Sequence, residues 1–142
     1  MLYSSTRGID KNRCFKEVLL KGLAEDGGLY VPKKLKVYNN DELRYLKSLD
    51  YANLAYEVTK YFISGDIPAD KYKKICKKTY EKAFGSKIIS IHKLNEKEFI
   101  SNLHHGPTFA FKDFALQLLG NIYDYILKKE KKKTYNYWSN IR

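Results

Sequence analysis

Apolar residues recur every three to four positions along most of the first 85 residues, which predicts a series of amphipathic helices. We expect these helices over residues 11–24, 41–49 and 51–63, and from Pro68 to Gly85. Asp10 is an N-cap residue type and precedes the first helix, whereas Pro68 suits the first turn of the last one. The N-terminal part of the chain is therefore predicted to be mostly helical.

Two segments depart from this helical pattern. The glycine pair at 27–28 predicts a turn, and the apolar run 29–31 predicts a short strand that Pro32 closes. Further along the chain, residues 88–94 and 98–103 have the composition and spacing of the two strands of a hairpin. The architecture is therefore expected to change after the fourth helix.

A long helix is predicted to begin near Lys112 and to end in the lysine-rich tract 128–133, where positive charge favours a helix C-terminus. Its apolar stripe contains Phe114, Leu118, Ile122 and Tyr125, with Ala115, Leu119 and Ile126 beside it. The strands predicted here are short, so little sheet is available for this stripe to pack on. We therefore expect Leu118, Leu119 and Ile122 to be partly uncovered and to promote aggregation or self-association.

Length and composition indicate a globular chain. Its 142 residues are 44% hydrophobic and 30% charged, which is sufficient for a core without disulfides. A net charge of +11 combined with 13 Tyr and 7 Phe raises the alternative of a basic nucleic-acid-binding module. The cations are mostly Lys and are scattered over predicted helical surfaces, so we expect no nucleic-acid partner.

Cysteine, histidine and hydropathy patterns limit other classes of function. Cys14 and Cys76 have no CxxC spacing, which favours buried free thiols. His104 and His105 are adjacent on a segment predicted to be extended, where they point to opposite sides, so we expect no metal site. No apolar run approaches the roughly 20 residues that span a bilayer, and no signal segment is visible. We therefore expect a cytoplasmic protein without a membrane partner.

The segment HGPTFAFKDF, residues 105–114, carries the remaining candidate chemistry. A Gly-Pro turn leads to Lys112, which lies among aromatic residues at the predicted start of the last helix. Burial and the positive end of a helix dipole both disfavour an ammonium group, and a neutral amine can condense with the aldehyde of pyridoxal phosphate (PLP). The alternative is an amphipathic lysine whose amine reaches solvent from a core-facing helix.

The longer stretch HGPTFAFKDFALQLLGN resembles the signature of threonine synthases: HGPT, one residue, and AFKDF, whose lysine carries PLP. Three other stretches, MLYSSTRG, KGLAEDGGLYVP and YFISGDIP, are similar to the same family in the same order. The resemblance implies an α+β fold. A mostly helical domain with a short hairpin is expected over residues 1–86. Residues 87–142 are then an incomplete start of the fold-type II PLP domain, which the tryptophan synthase β-chain shares.

The resemblance also implies a reaction, the conversion of O-phospho-L-homoserine and water to L-threonine and phosphate with PLP as cofactor. Lys112 would then be both the cofactor-binding and the catalytic residue, moving protons at the α and β carbons of the substrate. His105 and Thr108 are expected either to form a pocket wall or simply to aim the helix. Residues 5–7 match the family but are expected to form an exposed N-terminal arm that packs on the domain.

In this family, several features lie beyond position 142, among them the glycine-rich loop that binds the cofactor phosphate. The resemblance therefore implies a truncated chain that is inactive alone. Residues 102–104 also replace the acidic and aromatic residues that usually precede HGPT. One possible choice of codons for residues 136–142 has a second meaning in the next reading frame. Read one base later, it encodes IIGPTS and the start of a glycine codon, which is similar to the family's glycine-rich loop. We therefore hypothesise a frameshift, which sequencing the gene past Tyr135 tests. The alternative is half of a split enzyme, completed by a downstream chain.

Overall fold

The computed structural model describes residues 1–63, 65–84 and 87–130. In chain order the elements are β1 (Tyr3–Ser5), α1 (Phe15–Lys21), β2 (Tyr30–Pro32), α2 (Asn40–Lys47), α3 (Tyr51–Ile63), α4 (Ala69–Ala83), β3 (Ser90–Lys93), β4 (Phe99–Asn102) and α5 (Asp113–Lys129). No helix in these ranges has both the length and the apolar content needed to cross a membrane. The tail that carries the frameshift hypothesis lies outside the described residues.

The N-terminal segment is a strand. β1 pairs with β2 in an antiparallel ribbon, with Ser5 opposite Tyr30, and both Tyr3 and Ser5 are buried. The Ser5 hydroxyl donates to the Asp26 carboxylate at 2.6 Å, whereas the exposed Arg7 donates to the Asp26 carbonyl at 3.0 Å. The expectation of an exposed arm is therefore wrong for Ser5, because the ribbon and the turn after α1 hold this segment.

Helix α1 begins four residues later than the apolar pattern predicts. Cys14 is its N-cap, and the Glu17 carboxylate accepts the Cys14 backbone N–H at 2.8 Å. Asp10, predicted as the N-cap, instead accepts hydrogen bonds from Arg13 Nε at 2.5 Å and from the Tyr30 hydroxyl. The predicted cap is wrong because local spacing does not reveal a partner 20 residues away in the chain.

Helices α3, α4 and α5 supply most of the core. Its buried residues are Leu19, Ala52, Ile63, Ile67, Tyr72, Cys76, Tyr80, Phe84, Leu118, Ile122 and Ile126. The Tyr80 hydroxyl donates to the Phe114 carbonyl at 3.0 Å, and the rings of Phe84 and Phe114 lie 4.8 Å apart. These contacts fix the start of α5 against the end of α4. Both cysteines are free thiols, and Cys76 lies wholly inside this core, as expected. Cys14 is only partly buried, so the expectation of burial is wrong for that residue.

The apolar stripe of α5 is covered by the other helices. Leu118 and Ile122 are buried in the core, and Leu119 is partly buried and packs against it. The expectation of partial exposure is therefore wrong for Leu118 and Ile122, because α4 packs against this stripe in place of a sheet, whereas Leu119 is partly exposed, as expected. The boundary near residue 86 stays a prediction, although α5 shares its core with the helices that precede it.

Strands β3 and β4 form the predicted hairpin. They pair antiparallel, with Ser90 opposite Asn102 and Lys93 opposite Phe99. The Asn95 side chain closes the turn, since its oxygen accepts the Glu98 backbone N–H at 3.0 Å. In the described part of the chain these two strands form a sheet of their own, and most of their residues are exposed.

Candidate functional site

Residues 105–113 fold back onto the N-terminus of α5. Asp113 is the first residue of this helix and is almost completely buried. Its carboxylate accepts two hydrogen bonds from Thr108, at 2.8 Å from the backbone N–H and at 2.9 Å from the hydroxyl. The positive end of the helix dipole also favours a carboxylate at this position. Asp113 thereby closes a loop of defined shape that ends at Lys112.

Gly106 lies directly against this carboxylate. A Cβ at Gly106 would come within 2.4 Å of both the Cβ and one carboxylate oxygen of Asp113, closer than real contacts allow. Position 106 therefore requires glycine, because the Asp113 side chain lies too close for any other residue. Asp113 was not predicted to be the partner of Gly106 and Thr108. The available signals were an acidic residue in the first turn of a helix and a Gly-Pro turn just upstream.

His105 connects the loop to the hairpin. Its Nε2 atom lies 2.9 Å from the Ser90 hydroxyl, and the Asn102 side chain donates to the same hydroxyl at 3.3 Å. His105 and Thr108 therefore both have structural contacts within the chain. Their expected function as a pocket wall stays a prediction.

The two histidine rings are neighbours, with centroids 4.6 Å apart. The expectation that they point to opposite sides is wrong, because β4 ends at Asn102 and strand alternation does not extend to His104 and His105. Among residues 1–63, 65–84 and 87–130, no three His, Cys, Asp or Glu side chains are grouped so that they could hold a metal ion.

Lys112 immediately precedes α5, as predicted, but its side chain is exposed. Phe109 and Phe111 are themselves 79% and 65% exposed, so the described residues do not enclose the amine. The expectation that apolar groups surround the Lys112 amine is therefore wrong for the described residues, because the neighbouring aromatic side chains are exposed to solvent. Phe109 has a φ angle of 58°, a left-handed backbone conformation that is strained for a residue other than glycine. Such strained residues are found more often at functional sites than elsewhere.

A cavity of about 1110 Å³ lies elsewhere, between the β2–α2 connection and helices α3 and α4. Leu35, Val37, Tyr56 and Tyr72 are among its lining residues, and none of the lining residues belongs to the loop 105–113. This cavity is therefore separate from any chemistry at Lys112.

Comparison with known proteins identifies relatives over nearly the whole chain. Residues 2–80 match the family model for the threonine synthase N terminus. Threonine synthase of Pseudomonas aeruginosa is 44% identical over 129 residues, covering 91% of this chain and 28% of that protein. Threonine synthase of Schizosaccharomyces pombe is 36% identical, covering 90% of this chain and 25% of that protein. The chain thus spans less than a third of the length of these relatives.

Solved structures show the same relationship. A crystal structure of PLP-bound threonine synthase from Brucella melitensis has a TM-score of 0.87 and 36% identity, covering 92% of this chain and 28% of that one. Threonine synthase from yeast has a TM-score of 0.82 and 30% identity, covering 94% and 28%. This likeness confirms the predicted fold class, an α+β arrangement that corresponds to the N-terminal part of a fold-type II PLP enzyme.

Proposed function

Because this chain belongs to the threonine synthase family, we propose that it is the lysine-bearing N-terminal part of a PLP-dependent enzyme. The proposed reaction converts O-phospho-L-homoserine and water to L-threonine and phosphate, and the proposed location is the cytoplasm. The observation that carries the proposal is the segment 105–114, which retains the signature and is folded so that Lys112 directly precedes α5. The relative from Brucella melitensis with the same fold is PLP-bound, which supports this cofactor.

The described residues fit one part of a PLP site. Lys112 offers an accessible primary amine for the aldehyde, and the Thr108–Asp113 hydrogen bonds fix the loop that carries it. The N-terminus of α5 does not suit the cofactor phosphate, because the buried Asp113 carboxylate already occupies it. We therefore propose that residues outside the described part of the chain hold the phosphate.

Lys112 has the chemical role in this proposal. When bound, PLP supplies an electron sink for negative charge at the α carbon of the substrate. The Lys112 amine would hold the cofactor in the resting enzyme and, once released from it, would move protons at the α and β carbons of the substrate. Proton transfer needs the neutral amine, and enclosure by apolar surface favours that form. Asp113, Thr108 and Gly106 act through the shape of the loop, which determines where the amine projects.

We infer that this chain does not turn over the substrate alone. Its Lys112 amine is exposed to water, and the described residues provide no walls that exclude water from it. The missing walls correspond to the remainder of a threonine synthase. A second chain that supplies this remainder would complete a split enzyme.

Phosphate release from O-phospho-L-homoserine tests the proposed function. The full chain is assayed with PLP, alone and together with the part of the Pseudomonas aeruginosa enzyme that lies outside the matched 28%. We expect release only from the combination. Lys112→Ala should abolish it, whereas Lys47→Ala, which removes an exposed lysine of α2, should preserve it. Release by the chain alone contradicts the inferred inactivity, and undiminished release with Lys112→Ala contradicts the role of Lys112.

A further inference from the structure

The hairpin and the Lys112 loop expose several large apolar side chains. Five large residues define this exposed apolar set: Ile91 (70% exposed), Phe99 (57%), Ile100 (45%), Phe109 (79%) and Phe111 (65%). Monomeric proteins seldom leave large contiguous apolar patches uncovered, and such surfaces mark interaction sites. The set lies within 21 consecutive residues, Ile91 to Phe111, that end next to Lys112.

The hairpin exposes apolar side chains on both of its faces. The register places Lys93 opposite Phe99 and His92 opposite Ile100. Ile91 and Phe99 therefore share one face, and Ile100 lies on the other. A hairpin on a protein surface normally has one polar face, whereas strands that are apolar on both faces lie in sheets covered from both sides.

The hairpin also lacks neighbouring strands within the described residues. Isolated two-stranded hairpins are marginally stable, and their unpaired edges can accept further strands. One end of the hairpin contacts the rest of the structure through Ser90 and His105. The element therefore has the properties of part of a larger sheet.

A second copy of this chain fits the exposed apolar set poorly. Each chain carries a net charge of +11, so two copies repel each other. A symmetric contact between two hairpins would cover one face and leave the other in solvent. By contrast, the chain covers only 28% of a related structure with the same fold, so such a protein has ample further polypeptide to cover both faces.

We propose that the exposed apolar set is the docking surface for the remainder of a threonine-synthase-length polypeptide. This inference rests on the proposed function. Docking adds strands to the edges of the β3–β4 hairpin and covers both of its faces. Because Phe109 and Phe111 lie three residues and one residue from Lys112, the same docking encloses the amine and excludes water from it.

Binding and hydrogen exchange test this surface. The full chain is titrated with the remainder of the Pseudomonas aeruginosa enzyme, and exchange of residues 90–102 is followed. We expect exchange in the hairpin to slow about tenfold or more on binding. Ile91→Lys and Phe99→Lys should weaken the complex by about tenfold or more. The matched control is Val37→Lys, at a residue that is 88% exposed beside the separate cavity, and it should change affinity by less than about twofold.

The second arm of the experiment uses a chimera, in which residues 1–130 are joined directly to that remainder. This arm does not require the remainder to fold separately. Hairpin exchange that stays fast in both arms overturns the proposal. So does an equal loss of affinity in Val37→Lys and Phe99→Lys, or a dimer of the chain alone in which the hairpin is protected. A complex that uses the hairpin but releases no phosphate supports the docking surface and counts against the proposed reaction alone.

Discussion

At Gly106, a single hydrogen atom is all that the loop beside Asp113 accommodates. We predict that Gly106→Ala lowers the free energy of unfolding by about 1–3 kcal/mol, because the new methyl group meets the Asp113 Cβ and a held carboxylate oxygen. Thr108→Val, which keeps the side-chain shape and the backbone N–H but loses one hydrogen bond, should cost about 1 kcal/mol. Urea denaturation measures both changes. A Gly106→Ala protein as stable as the parent contradicts the close packing of this loop.

At Asp10, hydrogen bonds from the Tyr30 hydroxyl and the Arg13 guanidinium lower the pKa of the carboxyl to about 2. An unfolded chain has a value near 3.9 for aspartate, so the folded state favours the ionised form. This contribution to stability is complete above pH 3.9 and is lost as the pH falls toward 2. We predict that Asp10→Asn lowers the melting temperature at pH 7 and flattens its decline between pH 5 and 2. An unchanged decline across that range contradicts the assignment.

Among the elements, helix α5 is an integral part of the helical core. We predict that Ile122→Ala lowers the free energy of unfolding by about 2–5 kcal/mol, since Ile122 is buried between α5 and its neighbours. Ile122→Val, which removes one methylene group, should cost only about 0.5–1.5 kcal/mol. Chemical denaturation distinguishes these outcomes. Near-neutral effects of both changes would show that α5 is not docked on α4 in solution.

The helices and the hairpin were predictable because their signals are local. Helix α3 has the predicted bounds, and β3 and β4 lie within the two predicted strand segments. Strand β1 was not predicted, because three residues carry no periodic signal and its partner β2 lies about 25 residues away. The exposure of Lys112 was mispredicted for a related reason, since aromatic neighbours in sequence do not determine what surrounds a side chain in space. The Asp113–Gly106 contact likewise depends on how the loop folds back.

On the scale of the whole molecule, the positive charge is distributed and partly neutralised by local pairs. Lys36, Lys60 and Lys128 pair with Glu42, Glu57 and Asp124 at 2.6–2.7 Å. We predict only weak RNA binding at physiological ionic strength, because scattered and paired lysines do not follow a phosphate backbone. Filter binding over a series of salt concentrations measures this. Tight, steeply salt-dependent binding would instead support the nucleic-acid-binding alternative.

The whole chain therefore carries Lys112, the proposed PLP-binding lysine, on a well-formed loop beside the exposed apolar set that we propose as a docking surface. Borohydride reduction in the presence of PLP, followed by peptide mapping, tests this account most directly. With the remainder of a threonine synthase bound, we expect the label to concentrate at Lys112. In the chain alone we expect weak labelling, spread over exposed lysines such as Lys93. Tight, selective labelling of Lys112 in the chain alone, or an unlabelled Lys112 in the complex, would contradict it.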